Sequence, residues 1–239
     1  MLADVIPSIN EIRSDELQGK TVMVIDVLRA TSTITTALAN GSSGVIPVET
    51  VCRAKQYQSA DQEILLGGER FCKKINGFDL GNSPLEYGTD IVKDKRIVLT
   101  TTNGTRAIQK SIKGSQVIAA CFLNIDACIQ FALESKKDVA IVCSGTQDRF
   151  SLEDGLCAGL LIQRLSEADP KLVCNDFATA MRAAYLQMAE HLEEVLMSSD
   201  NGRRMCKIGF EADIRFCARL NEYSVVPILN GQMLTPYRF

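Results

Sequence analysis

The feature that most constrains the fold is the short run Val22–Val27, which is apolar and rich in β-branched residues apart from Asp26. A run of this length and composition is typical of a central β-strand. Residues 31–38 follow with a helical pattern, so Asp26 is predicted to lie at the carboxyl end of the strand. In open parallel sheets ligands bind at this edge, where the next helix offers N–H groups to an anion. The structural alternative makes Asp26 a turn residue and Thr31 or Ser32 a helix cap.

Composition narrows the class of protein and its partners. With 239 residues, 46% of them apolar, the chain can bury one large core. A net charge of -3 argues against nucleic acid as the main partner, because backbone binding needs a clustered excess of Lys and Arg. No stretch reaches the roughly 18 apolar residues of a membrane span, so we expect no membrane partner and a cytoplasmic location. The only histidine is His191, which argues against a His-rich metal cage or phosphohistidine chemistry.

The nine cysteines do not form a disulfide pattern, since their number is odd and no C-x-x-C pair occurs. We expect most of them to be reduced core thiols. Cys143 and Arg149 copy the C-x5-R spacing of cysteine-dependent phosphatases, in which a thiolate attacks phosphorus. The alternative is a buried cysteine at the end of a strand, and the residue before it is Val142 rather than histidine.

Strand-like and helix-like segments alternate over most of the chain. Strands are predicted over 2–6, 22–27, 45–48, 63–66, 96–100, 116–120, 138–143 and 225–229. Helices are predicted over 31–38, 50–60, 124–134, 156–165, 176–198 and 210–220. Three shorter helices are also predicted: one that begins at 84, one that ends near 112 and one around 203. The alternation predicts a three-layer α/β/α fold with a largely parallel or mixed central sheet, in a single domain over 1–239.

Details of this pattern lead to further expectations. The order of strand, polar loop and helix recurs near residues 22, 97 and 139, which suggests an internal duplication of two intertwined halves. Pro47 predicts an edge strand or a bulge. Two helix starts read as capping boxes, Ser83 with Glu86 and Ser151 with Asp154.

Two more predicted strand ends carry acids, arginines and hydroxyls. The strand at 63–66 leads into Gly67-Gly68-Glu69-Arg70, and the strand at 96–100 leads into Thr101-Thr102-Asn103-Gly104-Thr105-Arg106. A glycine-containing loop of this kind can surround a tetrahedral oxyanion with backbone N–H groups. It is not a Walker A loop, because no Gly-Lys-Ser/Thr follows.

If these strands lie side by side, four acids and three arginines converge. They are Asp26, Glu69, Glu153 and Asp154, with Arg29, Arg70 and Arg106. Arginine binds phosphate, carboxylate and sulfonate oxygens well. Carboxylates would repel a phosphate unless a hard cation lay between them, so we expect Mg²⁺ as cofactor. Taken singly, each acid has a structural alternative as a surface ion pair or a helix start.

Several ordered motifs together resemble one known family. They are Asp26-Val27-Leu28-Arg29-Ala30-Thr31-Ser32-Thr33, Gly67-Gly68-Glu69-Arg70, Gly77-Phe78-Asp79-Leu80-Gly81-Asn82-Ser83-Pro84, Thr101-Thr102-Asn103-Gly104-Thr105, Glu153-Asp154 with Ala158-Gly159, Asp176 with Ala178, Gly209-Phe210 with Asp213, and Val226-Pro227. They resemble the 2-phosphosulfolactate phosphatases over nearly the whole chain. The resemblance implies Mg²⁺-dependent hydrolysis of 2-phospho-3-sulfolactate to 3-sulfolactate and phosphate, a step of the coenzyme M biosynthesis type. Arg149 is not part of the family motif, which weakens the cysteine alternative.

We therefore predict a phosphoric monoester hydrolase with a small anionic phosphorylated substrate. Asp26 and Glu153 are the predicted catalytic acids, and the predicted metal ligands are Asp26, Glu69 and Asp154. The predicted substrate contacts are Arg29, Thr31, Ser32, Thr33, Arg70, Asn82, Asn103, Gly104, Thr105 and Arg106. Two alternatives remain open at this point: a phosphatase for another phosphorylated hydroxy acid, and a non-catalytic sensor of an anionic metabolite. The apolar fraction makes a homodimer our expectation for the oligomeric state.

Overall fold

A computed structural model of the chain describes residues 1–147 and 149–239. In this range the strands are β1 Leu2–Ile6, β2 Thr21–Ile25, β3 Gly44–Pro47, β4 Leu65–Arg70, β5 Lys73–Lys74, β6 Arg96–Thr100, β7 Gln116–Ala120, β8 Val139–Cys143, β9 Val173–Cys174, β10 Val226–Asn230 and β11 Met233–Tyr237. The helices are α1 Ala30–Ala39, α2 Val51–Ala60, α3 Thr89–Val92, α4 Gly104–Lys110, α5 Ile125–Ser135, α6 Leu152–Ala168, α7 Asp176–Met188, α8 Leu192–Ser198, α9 Asp200–Cys206 and α10 Glu211–Cys217.

The described strands form one mixed sheet in the order β5-β4-β6-β3-β11-β10-β7-β2-β8-β1-β9. Two parallel groups, β4 with β6 and β3, and β7 with β2, β8, β1 and β9, flank the antiparallel β10–β11 hairpin. The fold is therefore α/β with a mixed central sheet, as the alternation of segments predicts.

The side chains of β2 show how the layers form. Val22 and Val24 pack in one buried cluster with residues of α1 and α4. Met23 and Ile25 point to the opposite face and pack with residues of α5 and α6. Because successive residues of a strand face opposite sides of a sheet, an uninterrupted apolar strand requires helices on both faces. This confirms the three-layer α/β/α arrangement.

The strands that carry the predicted site are not all side by side, which corrects the simplest expectation. β2 and β8 are neighbours, as are β4 and β6, but β3, β11, β10 and β7 separate β2 from β6. Gly104, which follows β6, nevertheless lies against the Asp26 carboxylate, so the twisted sheet between β6 and β2 is not flat. Helix α1 contacts β3, β7, β10 and β11, and its residues 30–38 are all buried. The loops after β2 and β6 meet at the amino-terminal end of this enclosed helix.

The edge position predicted for the strand around Pro47 is wrong. β3 lies between β6 and β11, but its pairing with β11 is limited to Val45 and Leu234. Pro47 lies beyond that pairing, so its missing N–H costs no hydrogen bond there. The last strand, β11, was not predicted, although Asn230-Gly231 before it is a typical hairpin signal. Gly231 has the positive φ of 62° that such a turn requires.

The single helix predicted over 176–198 is also wrong. It is divided into α7 and α8 by a 3-10 turn at Ala189–His191. α7 packs on α6 and β1, whereas α8 packs on α9 and α10, and one straight helix could not cover both. Among the described residues, no helix combines the length and the apolar character needed to cross a bilayer.

Candidate active site

A small cleft opens where the loops after β2, β6 and β8 meet the β4–β5 turn and α9. Its volume is about 120 Å³, which suits a compact ligand better than a nucleotide. Five predicted site residues line it: Asp26, Arg29, Glu69, Asn82 and Asn103. The structure thus brings together parts of four motifs that are far apart in the sequence.

Asp26 follows directly after β2 and is only 8% exposed. Its Oδ1 accepts a hydrogen bond of 3.2 Å from the N–H of Ala30, the first residue of α1. Burial raises the pKa of Asp26 to about 7, and the negative charges of Glu69 and Glu153 act in the same direction, while the N–H groups of Ala30 and Gly104 oppose the shift. A carboxyl group with this pKa exchanges a proton near neutral pH, as acid–base catalysis requires.

Glu69 joins two walls of the cleft. Its Oε1 accepts hydrogen bonds of 2.8 Å from both the N–H and the hydroxyl of Thr102, and its Oε2 accepts one of 2.7 Å from the N–H of Cys72. These bonds fix the loop after β6 against the β4–β5 turn. Glu69 therefore presents an oriented carboxylate to the cleft, and its role as a metal ligand stays a prediction.

The β4–β5 turn has an unusual backbone. Phe71 and Cys72 have φ values of 56° and 64°, a region that favours Gly and Asn in two-residue hairpins. Glu69 and Arg29 hold the turn, the latter through a bond of 3.1 Å from Nη2 to the carbonyl of Cys72. Phe71 is 83% exposed at the rim of the cleft.

Asp154 lies beneath the cleft rather than in it. Its two oxygens accept hydrogen bonds of 2.9 Å from the N–H groups of Val27 and Gly145, and so join the ends of β2 and β8. Burial raises the pKa of Asp154 well above its usual range, with Asp26 and Glu153 adding to the effect. The capping box predicted for Ser151 and Asp154 is wrong, because Ser151 makes no capping bond and its hydroxyl donates to Thr146 instead. The role of Asp154 as a metal ligand stays a prediction.

Glu153 lines a second cleft that adjoins the first. Its side chain is buried, and its Oε1 accepts a hydrogen bond of 3.2 Å from Nδ2 of Asn201. Burial raises the pKa of Glu153. Asn201 belongs to the walls of both clefts and also donates to the carbonyl of Leu28, so Glu153 is linked to the loop that follows Asp26.

The predicted arginines have different surroundings. Arg29 lines the cleft, but its guanidinium forms a salt bridge with Asp213 and lies 4.2 Å from the centre of the Phe210 ring. Asp213 also accepts a bond of 2.8 Å from the Ser83 hydroxyl. The Ser83 capping box is therefore wrong, since this hydroxyl caps nothing.

Arg70 and Arg106 do not line the cleft. Arg70 donates to the carbonyls of Glu49 and Glu69 and to the hydroxyl of Thr100, at 2.7 to 3.0 Å. Arg106 lies on α4. Their roles in substrate binding stay predictions.

The hydroxyls predicted as substrate contacts are engaged within the protein. Thr31 donates to the carbonyl of Asp26 and accepts from its N–H, Ser32 donates to the carbonyl of Val27, and Thr33 donates to that of Asn82. Thr105 forms the same kind of ring with Thr101. These side chains hold the backbone around Asp26 and Gly104 in place. Direct contact with a substrate stays a prediction for them.

Two amide oxygens in the cleft lack partners. The Oδ1 atoms of Asn82 and Asn103 are buried without a hydrogen bond, which is costly unless a ligand or ion completes them. Carboxylate and amide oxygens are the ligands that Mg²⁺ prefers. No group of three or more His, Cys, Asp or Glu side chains within 1–147 and 149–239 could hold a metal alone. A Mg²⁺ site here stays a prediction; such sites usually combine one or two carboxylates with water and substrate phosphate.

Sequence reasoning missed several residues of the site. Asn201 and Arg204 reach the cleft from α9, and Asp213 fixes Arg29 from α10. They belong to polar helices near the end of the chain, with no strand end to mark them. The position of Asp213 in a family motif marks it as a residue of interest, but the sequence does not show that it pairs with Arg29.

Cys143 does not have the surroundings of a nucleophile. It is fully buried among apolar side chains, and burial raises the pKa of its thiol well above the usual value, with Asp154 and Glu153 adding to the shift. Arg149 is exposed and lines the adjoining cleft. The structure favours the buried strand-end interpretation of Cys143.

The fold and the cleft define a three-layer α/β protein whose candidate site lies at the carboxyl ends of its strands. A family model described as 2-phosphosulpholactate phosphatase matches residues 6–232. Two similar proteins carry the name probable 2-phosphosulfolactate phosphatase. One from Thermotoga petrophila is 46% identical over 219 residues, covering 90% of this chain and 92% of its own. One from Caldanaerobacter subterraneus is 41% identical over 233 residues, covering 96% of both. The chain belongs to the 2-phosphosulfolactate phosphatase family, as its motifs predict.

Proposed function

We propose that this protein is a Mg²⁺-dependent phosphomonoesterase that hydrolyses 2-phospho-3-sulfolactate to 3-sulfolactate and phosphate. The family and the names of the relatives support this substrate. The observation that carries the proposal is the cleft in which the buried carboxylate of Asp26 lies with the unpartnered oxygens of Asn82 and Asn103. The pathway we propose for the product is the coenzyme M route that the resemblance implies.

Asp26, Asn82 and Asn103 would hold the magnesium ion, with Glu69 as a further ligand. When bound, the ion would neutralise phosphate charge and lower the pKa of a bound water. The protein itself supplies orientation: α1 and the loop after β6 fix Asp26 from two sides, and Glu69 fixes that loop against the β4–β5 turn. Such preorganised groups cost little reorganisation during the reaction.

We assign proton transfer to Asp26 and Glu153. Asp26, which lines the cleft and has a pKa of about 7, accepts the proton of the attacking water. Glu153, whose pKa burial raises, holds a proton for the departing alkoxide of the hydroxy acid. These assignments give each predicted catalytic acid a separate task.

Phosphate release separates this function from its alternatives. The purified protein is incubated with 2-phosphosulfolactate, 2-phospholactate or ethyl phosphate, each with Mg²⁺ and with EDTA. We expect the fastest release from 2-phosphosulfolactate and none in EDTA. Faster release from 2-phospholactate would indicate another phosphorylated hydroxy acid as substrate, and tight binding without release from any ester would indicate a sensor.

A further inference from the structure

Arg204 has a position that no other charged side chain within residues 1–147 and 149–239 shares. It lines both the cleft of Asp26 and the adjoining cleft, which has a volume of about 380 Å³. The side chain is exposed, and it makes no hydrogen bond or ion pair with any residue that the structure describes. A guanidinium whose five donors have no partner among the described residues, at a boundary between two clefts, is available to an anion.

Two neighbouring arginines, Arg29 and Arg203, are already engaged, and Arg149 lines only the adjoining cleft. Arg29 is held by Asp213, Phe210 and the carbonyl of Cys72. Arg203, the neighbour of Arg204, is paired with Asp200 and donates to the carbonyl of Ser198. Arg203 lines only the adjoining cleft and is engaged by Asp200 and Ser198, whereas Arg204 lines both clefts.

The backbone of Arg204 is well positioned for recognition. Asn201 lies one helical turn earlier on the same face, and its Nδ2 donates to the carbonyl of Leu28 at 3.0 Å and to Glu153 at 3.2 Å. Ser199 caps α9 through a bond of 3.0 Å from the N–H of Gly202. α9 is therefore fixed to the loop that follows Asp26, which places Arg204 on the wall that the two clefts share.

We propose that Arg204 binds the acid group of the substrate that is not transferred, a carboxylate or a sulfonate. The proposal rests on the proposed function for the identity of the phosphate ester. With the phosphate at Asp26, an attached acid group extends along the shared wall toward Arg204. A bidentate, charge-assisted contact there selects esters that carry a second anion over simple alkyl phosphates.

The test compares four esters that differ in their acid groups. They are 2-phosphosulfolactate, 2-phospholactate with only a carboxylate, phosphorylated isethionate with only a sulfonate, and ethyl phosphate with neither. Arg204→Ala is expected to lower kcat/KM about 10- to 100-fold, mainly through KM, for the esters that carry the recognised group. An ester that lacks the recognised acid group should have the same kcat/KM in Arg204→Ala as in the wild type. Arg204→Lys should recover part of the loss seen with the other esters. Arg203→Ala is the matched control and should behave as the wild type.

An equal loss for ethyl phosphate, or no loss for any ester, would overturn the proposal while leaving the phosphatase function intact. A wild-type protein that releases phosphate from none of the esters would instead refute the proposed function. In that case, calorimetric measurement of 3-sulfolactate binding still tests whether Arg204 binds the acid group. Binding at least tenfold weaker in Arg204→Ala supports the proposal, and unchanged or absent binding in both proteins contradicts it.

Discussion

Gly104 lies directly against the carboxylate of Asp26. A Cβ atom on Gly104 would be 2.5 Å from Asp26 Oδ2 and 2.5 Å from the Cβ of Ala30. The close approach is what allows the loop after β6 to reach the end of β2, although four strands lie between them in the sheet. Glycine is needed here for space, since its φ is not positive.

Gly104→Ala is expected to displace the Asp26 carboxylate. The methyl group cannot fit without a shift of backbone or of Asp26, so stability should fall by about 1 to 3 kcal/mol and kcat by about 100-fold. Phosphate release and urea unfolding measure the two effects. Gly88→Ala is the matched control, because its Cβ would meet only the flexible end of Asp90. A Gly104→Ala enzyme with wild-type kcat would refute this geometry.

The burial of Asp26 predicts an unusual dependence of stability on pH. Its pKa rises from 3.8 to about 7 on folding, so between these values the folded state keeps a proton that the unfolded state has lost. The contribution is complete below the unfolded pKa and is lost as the pH rises through 7. Without divalent metal we expect about 3 kcal/mol of lost stability from this group between pH 5 and pH 8. Urea midpoints in EDTA should show this slope, and Asp26→Asn should flatten it; an unchanged slope in the variant would count against the assignment.

Breaking the buried ion pair of Arg29 and Asp213 should lower the free energy of unfolding far more than breaking a surface ion pair. Their side chains are 2% and 4% exposed, so Asp213→Ala leaves a buried charge with too few partners and should cost about 3 kcal/mol or more. Asp200→Ala removes the partner of Arg203, in a pair with exposures of 94% and 59%, and should change stability by less than about 0.5 kcal/mol. Similar midpoints for the two variants in urea unfolding would contradict this difference.

Cys143→Ala should leave the catalytic rate within about twofold of the wild type. The thiol is enclosed by apolar side chains and holds its proton firmly, so its loss should cost only about 1 to 2 kcal/mol of stability. Phosphate release in Mg²⁺ and in EDTA is the measurement. A folded variant without activity would revive the cysteine mechanism.

The strand ends and their acids could be predicted because they depend on local patterns. The apolar run before Asp26, the glycine loop before Arg106 and the alternation of segments all report on nearest neighbours along the chain. The family motifs located Asn82 and Asn103 as well. Their unpartnered oxygens now give those two positions a chemical reason that the sequence lacked.

Partners chosen by tertiary packing could not be predicted. The spacing from Ser151 predicts that Asp154 completes a capping box at the third position of the helix. In the structure its carboxylate instead accepts hydrogen bonds from the N–H groups of Val27 and Gly145. Ser83 likewise binds Asp213 rather than its own helix start. In each case a distant donor or acceptor replaced the local one, and nothing in the spacing of residues records that choice.

The catalytic role of Asp26 is tested most directly by phosphate release from 2-phosphosulfolactate with Mg²⁺ in Asp26→Asn. The variant keeps the volume of the side chain and removes a buried charge, so its urea midpoint should equal or exceed that of the wild type at pH 8. We predict a folded protein whose kcat is at least about 1,000-fold lower. A folded Asp26→Asn protein that releases phosphate at close to the wild-type rate would contradict the assignment of this cleft as the active site.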